Sequence, residues 1–310
     1  MSVIDVKHLT KDYGFGRGVF DVSFQVEKGE VFGFLGPNGA GKSTTIRHLM
    51  GFSKPDSGET RIFAKESFHQ YDKILKSVGY IPGEIALPAG LTGWEFLRMM
   101  QDMQGHRNKK KLDELLGLFE LDPSGDTKRM SLGVKRKLAV VTAFMNDPDV
   151  LILDEPTSGL DPVMQDVFID YLKNEKKRGK TILLSSHIFS EVDATCDRIA
   201  IIKDGKIVSD FVADDLRHAS QKNYRVSFDS KIDYDRFIAE NSNQEELKII
   251  ERDAENNSLV VATDDAYINS VIGTLSAYSV CGFTHLKETL EDYFMKYYKE
   301  DKDFGGALQK

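Results

Sequence analysis

Two carboxylates and a lysine stand where phosphate chemistry needs them. Asp154 and Glu155 end the apolar run Val150-Leu151-Ile152-Leu153. Lys42 lies in the glycine-rich segment Gly36-Pro37-Asn38-Gly39-Ala40-Gly41-Lys42-Ser43-Thr44. That segment fits G-x-x-x-x-G-K-[ST], a phosphate-binding loop. Its glycines let backbone N–H groups turn inward around an anion, and a following helix N-terminus adds positive partial charge. In such a loop Lys42 reaches the β- and γ-phosphates and the Ser43 hydroxyl ligates Mg²⁺. Asp154 suits the same cation, through water. Glu155 suits positioning and polarising an attacking water. Taken singly, the first segment also reads as a flexible turn and the second as a strand ending in a solvated acidic turn. Their occurrence together favours hydrolysis of a nucleoside triphosphate.

Three weaker pieces keep order with these two. Ser158-Gly159-Leu160-Asp161 follows the carboxylates, and His187 follows the apolar stretch Thr181–Ser185, where it can hydrogen-bond a γ-phosphate oxygen. Met130-Ser131-Leu132-Gly133-Val134 leads into Lys135-Arg136-Lys137-Leu138. Ser131 and Gly133 before a helix make a second anion-binding helix N-terminus, although Ser at such a place is most often an ordinary cap.

The elements that must position these groups alternate. Val31–Leu35 reads as a buried strand before the glycine loop, and Thr45–Met50 as a helix closed by Gly51. Val3–Leu9, Phe20–Val26 and Thr60–Ile62 are further strands. Leu91–Ala143 is helix-rich, with starts at Thr92 and Lys109. Val150–Leu153, a helix over Val163–Lys177 and Thr181–Ser185 restore the alternation. Ile199–Lys203 and Lys206–Val208 form a hairpin through Asp204-Gly205. The order predicts a mainly parallel α/β core with a helical insert. After residue 215 the texture changes. Strands at Tyr224–Phe228, Leu247–Glu251, Leu259–Ala262 and Phe283–Leu286 alternate with helices at Tyr234–Glu240 and Ala266–Ala277, and a helix at Glu288–Tyr298 closes the chain. This β-α-β-β-α-β order predicts a small ferredoxin-like α+β domain, followed by a polar, frayed tail over 301–310.

Composition narrows the function classes. The 310 residues suit two domains, and no stretch approaches the 18 apolar residues of a membrane span. No leader-like basic and apolar pattern opens the chain. Cys196 and Cys281 fit no metal or disulfide spacing, which favours a reducing compartment with both as inert core thiols. The net charge is −8. From Asp215 onward there are 12 Lys plus Arg against 18 Asp plus Glu. A nucleic-acid partner calls for a basic surface, which this balance argues against.

Taken with their order, these motifs resemble the ATP-binding subunit of an ABC transporter. Gly36–Thr44 is similar to Walker A and Leu151–Glu155 to Walker B with its catalytic Glu. Ser158–Asp161 is similar to the D-loop, His187 to the switch histidine, and Met130–Val134 to the LSGGQ signature. Tyr13, in Lys11-Asp12-Tyr13-Gly14, is similar to the aromatic residue that stacks on adenine. Leu290-Glu291-Asp292-Tyr293-Phe294 resembles the C-terminal L-E-x-x-F pattern of the bacitracin/daunorubicin-type drug-export subfamily. The signature departs from the family pattern at Leu132 and Val134, keeping Ser131 and Gly133. The position of the Q-loop glutamine is Gly83, with Glu84 next to it as a possible metal-facing substitute.

The resemblance implies a P-loop NTPase fold with an ATP-binding domain over residues 1–215, a helical subdomain over about 85–145, and an accessory α+β domain over 216–300. It implies ATP and Mg²⁺ as cofactors. Glu155, His187 and Lys42 would be catalytic, Ser43, Asp154 and Glu84 metal-facing, and Tyr13, Gly36–Thr44, Ser131, Gly133 and Asp161 nucleotide-binding. The expected partners are a second copy in an ATP-sandwiched dimer and a separate transmembrane permease, at the cytoplasmic side of the membrane. The competing readings are a non-transport ABC ATPase of translation or DNA maintenance and a phosphate-loop small-molecule kinase. Translation relatives carry two cassettes, and maintenance relatives carry long heptad coiled coils. Neither feature is present, and a kinase needs no signature segment.

Overall fold

The structure is a computed structural model describing residues 2–105, 107–217, 221–242, 246–286 and 289–299. It divides into two compact units, Met1–Ala213 and Asp214–Lys310. Glu288, the expected start of the closing helix, and the tail 301–310 lie outside the described residues.

In the first unit the chain runs β1 (Ser2–Asp12), β2 (Gly18–Glu27), β3 (Val31–Leu35), α1 (Lys42–Leu49), β4 (Ser57–Ile62), β5 (Lys65–Glu66), α2 (Tyr71–Ile74) and β6 (Val78–Ile81). Three helices follow: α3 (Gly93–Gln104), α4 (Lys109–Leu118) and α5 (Leu132–Phe144). The unit closes with β7 (Val150–Asp154), α6 (Pro162–Lys177), β8 (Thr181–Ser186), α7 (Phe189–Thr195), β9 (Arg198–Lys203) and β10 (Lys206–Val212), after which α8 (Ala213–Arg217) spans the boundary.

The larger sheet has the order β10-β9-β3-β8-β7-β6. Its strands pair in parallel except for β10, which returns antiparallel to β9. Every residue of β3, β7 and β8 is buried, as expected of central parallel strands covered on both faces. The β9–β10 hairpin turns through Asp204 and Gly205 at φ 48° and 75°, the two positive values a type I′ turn requires. A second, antiparallel sheet has the order β2-β1-β4-β5. Phe24 of β2 joins the two, stacking on Phe32 at 5.0 Å and lying 5.3 Å from Phe34.

The helices begin where their caps dictate. Thr92 and Glu95 form a reciprocal capping box at α3, which ends at Gly105 with φ 82°. The hydroxyl of Ser131 accepts from Val134 N to start α5. The Asp161 carboxylate accepts from Met164 N to start α6, with Pro162 in its first turn. A Cβ on Gly33 would stand 2.9 Å from Cys196 Sγ and Val192 Cγ1, so a glycine is needed for α7 to pack on β3.

The second unit runs β11 (Gln221–Phe228), α9 (Lys231–Asn241), β12 (Lys248–Asp253), β13 (Ser258–Asp264), α10 (Ile268–Leu275), β14 (Val280–Leu286) and α11 (Leu290–Lys299). Its antiparallel sheet has the order β12-β13-β11-β14. Val226, Phe228, Phe237, Val261 and Val271 form a core of its own. One expectation fails here. Cys196 is a buried thiol pushed up to about 12 by burial, but Cys281 is exposed. Cys281 lies on the edge strand β14, and its thiol donates to the Ser227 carbonyl oxygen at 3.4 Å.

Candidate nucleotide site

The carboxyl ends of β3 and β7 open into a cleft of about 610 Å³. Asn38, Ser43, Glu84, Asp154, Glu155 and His187 are among its lining residues, with Gly83, Ser158 and Arg47 beside them. The site lies outside the carboxyl ends of parallel strands, where ligands of open α/β sheets bind.

Residues 36–44 connect β3 directly to α1. Gly41 at φ 112° is the residue before the helix, and Gly39 turns at φ 85°. Both conformations favour glycine. Pro37, Asn38 and Gly39 are exposed, Gly36, Ala40 and Gly41 are buried, and Ser43 and Thr44 are half-buried. Lys42 folds back over its own loop. Its Nζ donates to the Gly36 carbonyl at 2.6 Å and to the Pro37 carbonyl at 3.2 Å. It also stands 3.0 Å from Glu155 Oε1, close enough for an ion pair but without hydrogen-bond alignment.

Glu155 follows β7 at φ 49°, a left-handed turn that a non-glycine residue adopts only when its surroundings hold it there. The turn aims the carboxylate across the cleft. Oε2 faces His187 Nδ1 at 2.5 Å. Asp154 is buried, and its Oδ1 accepts from the Ser185 hydroxyl of the adjacent strand β8. Its Oδ2 points elsewhere. A Cβ added at Gly83 would lie 2.9 Å from Asp154 Oδ2 and 3.6 Å from Ser43 Oγ. Those two oxygens therefore face one point. Hard cations take oxygen ligands, and Mg²⁺ binds through one or two carboxylates plus waters and substrate phosphates. Ser43 and Asp154 fit that donor set. Among the described residues no three His, Cys, Asp or Glu side chains gather into a cage, so the remaining ligands would be waters and phosphate oxygens.

Other expected residues lie apart from this cleft. Ser131 and Gly133 are not among its lining residues. Gly133 sits against the loop after Glu155, where a Cβ on it would be 3.1 Å from the Gly159 carbonyl oxygen, and Ser131 caps α5. Asp161 is exposed and caps α6. Tyr13 is 55% exposed in the β1–β2 turn, with Lys11 Nζ 5.8 Å from its ring centre. The same hairpin reaches the phosphate loop through Val19, whose Cγ1 lies 2.8 Å from a Cβ built on Gly41. Glu84 is exposed at the cleft wall.

Three residues escaped the sequence reading. Ser185 seats Asp154. Arg136 of α5 donates to the carbonyls of Pro82, Gly83 and Ser158, three residues of the cleft wall. Glu191 of α7 is buried, and its Oε2 accepts from Ser186 Oγ at 2.6 Å and Thr157 Oγ1 at 3.3 Å. Burial pushes the Glu191 carboxyl up to about 7, against those two hydrogen bonds. Burial, helped by the nearby Asp154 carboxylate, likewise pushes the Tyr80 phenol up to about 12. No local pattern marks these contacts. Only the serine in the strand beside Asp154 carries a usable signal.

Parallel strands that deliver a lysine-bearing glycine loop and a carboxylate pair to one sheet edge define the phosphate-loop nucleoside triphosphatases. The comparisons narrow this class. The ABC transporter family matches residues 19–158. The chain is 40% identical over 210 residues to the ABC transporter ATP-binding protein YhcH of Bacillus subtilis (strain 168), covering 67% of this chain and 69% of the relative. It is 37% identical over 226 residues to the bacitracin transport ATP-binding protein BcrA of Bacillus licheniformis, covering 71% and 73%. The fold matches a dimeric ATP-binding cassette, MJ0796, bound to ADP and Pi, with a TM-score of 0.60 and 22% identity over 68% of this chain and 98% of that one. The chain belongs to the ATP-binding subunits of ABC transporters and is an ATPase of that family. No helix among the described residues is long and apolar enough to cross a membrane.

Proposed function

We propose that two copies of this chain close on two ATP molecules and drive an export permease in a separate membrane-spanning chain, from the cytoplasmic face of the membrane. The observation that carries the dimer is a division within one copy. Lys42, Ser43, Asp154, Glu155 and His187 surround one cleft, while Ser131 and Gly133 stand outside it. The helix N-terminus capped by Ser131 is not part of its own copy's cleft lining, and a second copy would bring it to the γ-phosphate. The dimeric state of the matched cassette supports the same arrangement. Export is supported by the name of a relative from Burkholderia orbicola (strain AU 1054), a Nod factor export ATP-binding protein that is 36% identical over 217 residues.

In this reading the exposed loop amides and Lys42 hold the β- and γ-phosphates. Tyr13 offers a ring to the adenine. Glu155 orients the attacking water, and His187 holds the Glu155 carboxylate and the γ-phosphate in register. Ser43 and Asp154 would hold Mg²⁺, with Glu84 at the cleft wall as a further oxygen donor, and the cation would neutralise charge across the phosphates. Asp161 caps α6 at the end of the loop that would face the second copy.

The permease would dock beside α3. Trp94 and Met103 are exposed there, next to an apolar cleft of about 380 Å³ lined by Phe52, Leu75, Tyr80, Met100 and Met103. Phe96 of the same helix is buried and is not part of that exposed face.

The test is light scattering on Glu155→Gln protein with ATP and Mg²⁺. A dimer holding two ATP, lost in Ser131→Arg, is the expected result. A monomer at saturating ATP, or a dimer indifferent to Ser131→Arg, overturns the sandwich. ATP-driven uptake into inverted vesicles that hold the permease, abolished by Glu155→Gln, tests the export assignment.

A further inference from the structure

Arg136 is 2% exposed, and among the described residues no carboxylate pairs with it. Its guanidinium is spent on three backbone carbonyls. Nε donates to Ser158 O at 2.8 Å, one terminal nitrogen to Pro82 O at 2.9 Å, and the other to Gly83 O at 2.8 Å. The acceptors belong to two loops far apart in sequence. One is the segment after β6 that carries Gly83. The other is the loop running from Glu155 to Asp161. Both line the nucleotide cleft.

Burying a guanidinium is costly, and burial lowers its proton affinity here against the pull of Asp154 and Glu155. Such a placement persists only where the planar fork meets acceptors on all sides. The helix that carries Arg136 is also wedged against one of the two loops by its first residues. A Cβ built on Gly159 would lie 2.9 Å from Leu132 Cγ, and one built on Gly133 would lie 3.1 Å from Gly159 O. Position 83 has no side chain to carry a signal, and a Cβ there would stand 2.9 Å from Asp154 Oδ2 and 3.6 Å from Ser43 Oγ.

We infer that Arg136 is a positioning residue that ties the N-terminal end of α5, the Pro82–Gly83 backbone and the Ser158 loop into one moving body. This rests on the ATPase reading above. Movement of α5 on closure of the dimer then reaches Asp154 and Glu155 through carbonyls held by one guanidinium, in place of a side chain at position 83. The role belongs to a fork rather than to a charge. A lysine keeps the charge but cannot hold three carbonyls in one plane.

The experiment compares wild type, Arg136→Lys and Arg136→Met in the full chain, with kcat and KM for ATP measured separately and active sites counted by ATP titration. Both variants are expected to lose about 10–100-fold in kcat per active site, as outer-shell substitutions do, with KM within about threefold, and lysine is not expected to rescue. A lysine variant with wild-type kcat, methionine with wild-type kcat, or a loss that only mirrors fewer binding sites each overturns the inference. Folding of the variants is bypassed by hydrogen exchange on Glu155→Gln protein, which keeps Arg136. Peptides over 78–86, 130–138 and 155–161 are expected to change protection at one ATP concentration, and separate midpoints overturn the inference. Absence of ATP hydrolysis by the wild-type chain would instead sink the ATPase reading itself.

Discussion

Lys42 Nζ and Glu155 Oε1 stand 3.0 Å apart. The lysine that would neutralise an incoming phosphate thus neutralises the carboxylate that would orient the attacking water. His187 holds the other oxygen of the same carboxylate at 2.5 Å. A nucleotide entering the loop must draw Lys42 off Glu155, which frees Oε1 for water only when phosphate is present. Two roles kept apart by sequence are coupled by one ion pair.

Replacing Glu155 by Gln is expected to lower ATP hydrolysis by about 10²–10⁴-fold, the usual contribution of a positioned general base. ATP affinity is expected to hold or rise, because Lys42 no longer has an anionic competitor. Calorimetric titration and a phosphate-release assay give the two numbers. Loss of binding in step with hydrolysis would contradict the role.

Replacing Lys42 by Ala is expected to weaken ATP binding as well as turnover. One charge-assisted hydrogen bond is worth about 1.5–3 kcal/mol, so the dissociation constant should rise roughly ten- to hundredfold. Unchanged affinity would remove residues 36–44 from the phosphate site.

The core of this arrangement was legible in the sequence because each part is local. A strand, a glycine turn and a helix start lie within residues 31–49, and Asp154 and Glu155 directly end an apolar strand. What was not legible is what one element does to another. Arg136 sits in the run Lys135-Arg136-Lys137, which reads as a solvated charged face, yet it is buried against carbonyls more than fifty residues away in sequence. Glu191 likewise carries no local mark of its burial, since Ser186 and Thr157, which hold it, lie on other elements. Nothing in a single sequence distinguishes exposed Cys281 on an edge strand from buried Cys196 at the end of α7. Gly83 reads as a missing glutamine, whereas the fold leaves almost no room for a side chain between it and Asp154.

Glu191 gives the chain a pH signature. Its folded-state value of about 7 lies above the ordinary carboxyl range, with burial as the cause. A carboxyl raised in the folded state contributes stability at low pH that is lost as pH climbs through the folded value. Wild type should therefore lose stability relative to Glu191→Gln between about pH 4.5 and 7, with a flat difference above. The glutamine oxygen still accepts from Ser186 and Thr157. Melting temperatures of the two proteins across pH 5–8 check this, and a constant difference rejects it.

Removing residues 220–310 is expected to leave ATP binding and basal hydrolysis in place. The nucleotide cleft is built entirely from the first unit, and the second has its own core. The loss should fall on dimer stability or regulation. A folded truncation that fails to bind ATP would disprove the division of labour.

Glu84 and Gly83 can be separated by two substitutions. Glu84 is exposed at the cleft wall, where a carboxylate can approach a cation without moving the backbone. Glu84→Ala is expected to lower the permease-stimulated rate by roughly tenfold, the lower end of outer-shell effects, and to shift the Mg²⁺ half-saturation upward. Gly83→Ala acts differently. Its new Cβ would stand 2.9 Å from Asp154 Oδ2, so Asp154 or the 82–83 backbone must shift. Basal hydrolysis should fall with or without the permease. Phosphate release measured for both variants, alone and with the permease, decides between them. If Glu84→Ala matches the parent in every condition while Gly83→Ala is impaired, Glu84 is a solvated loop charge and coupling runs through the backbone that Arg136 holds.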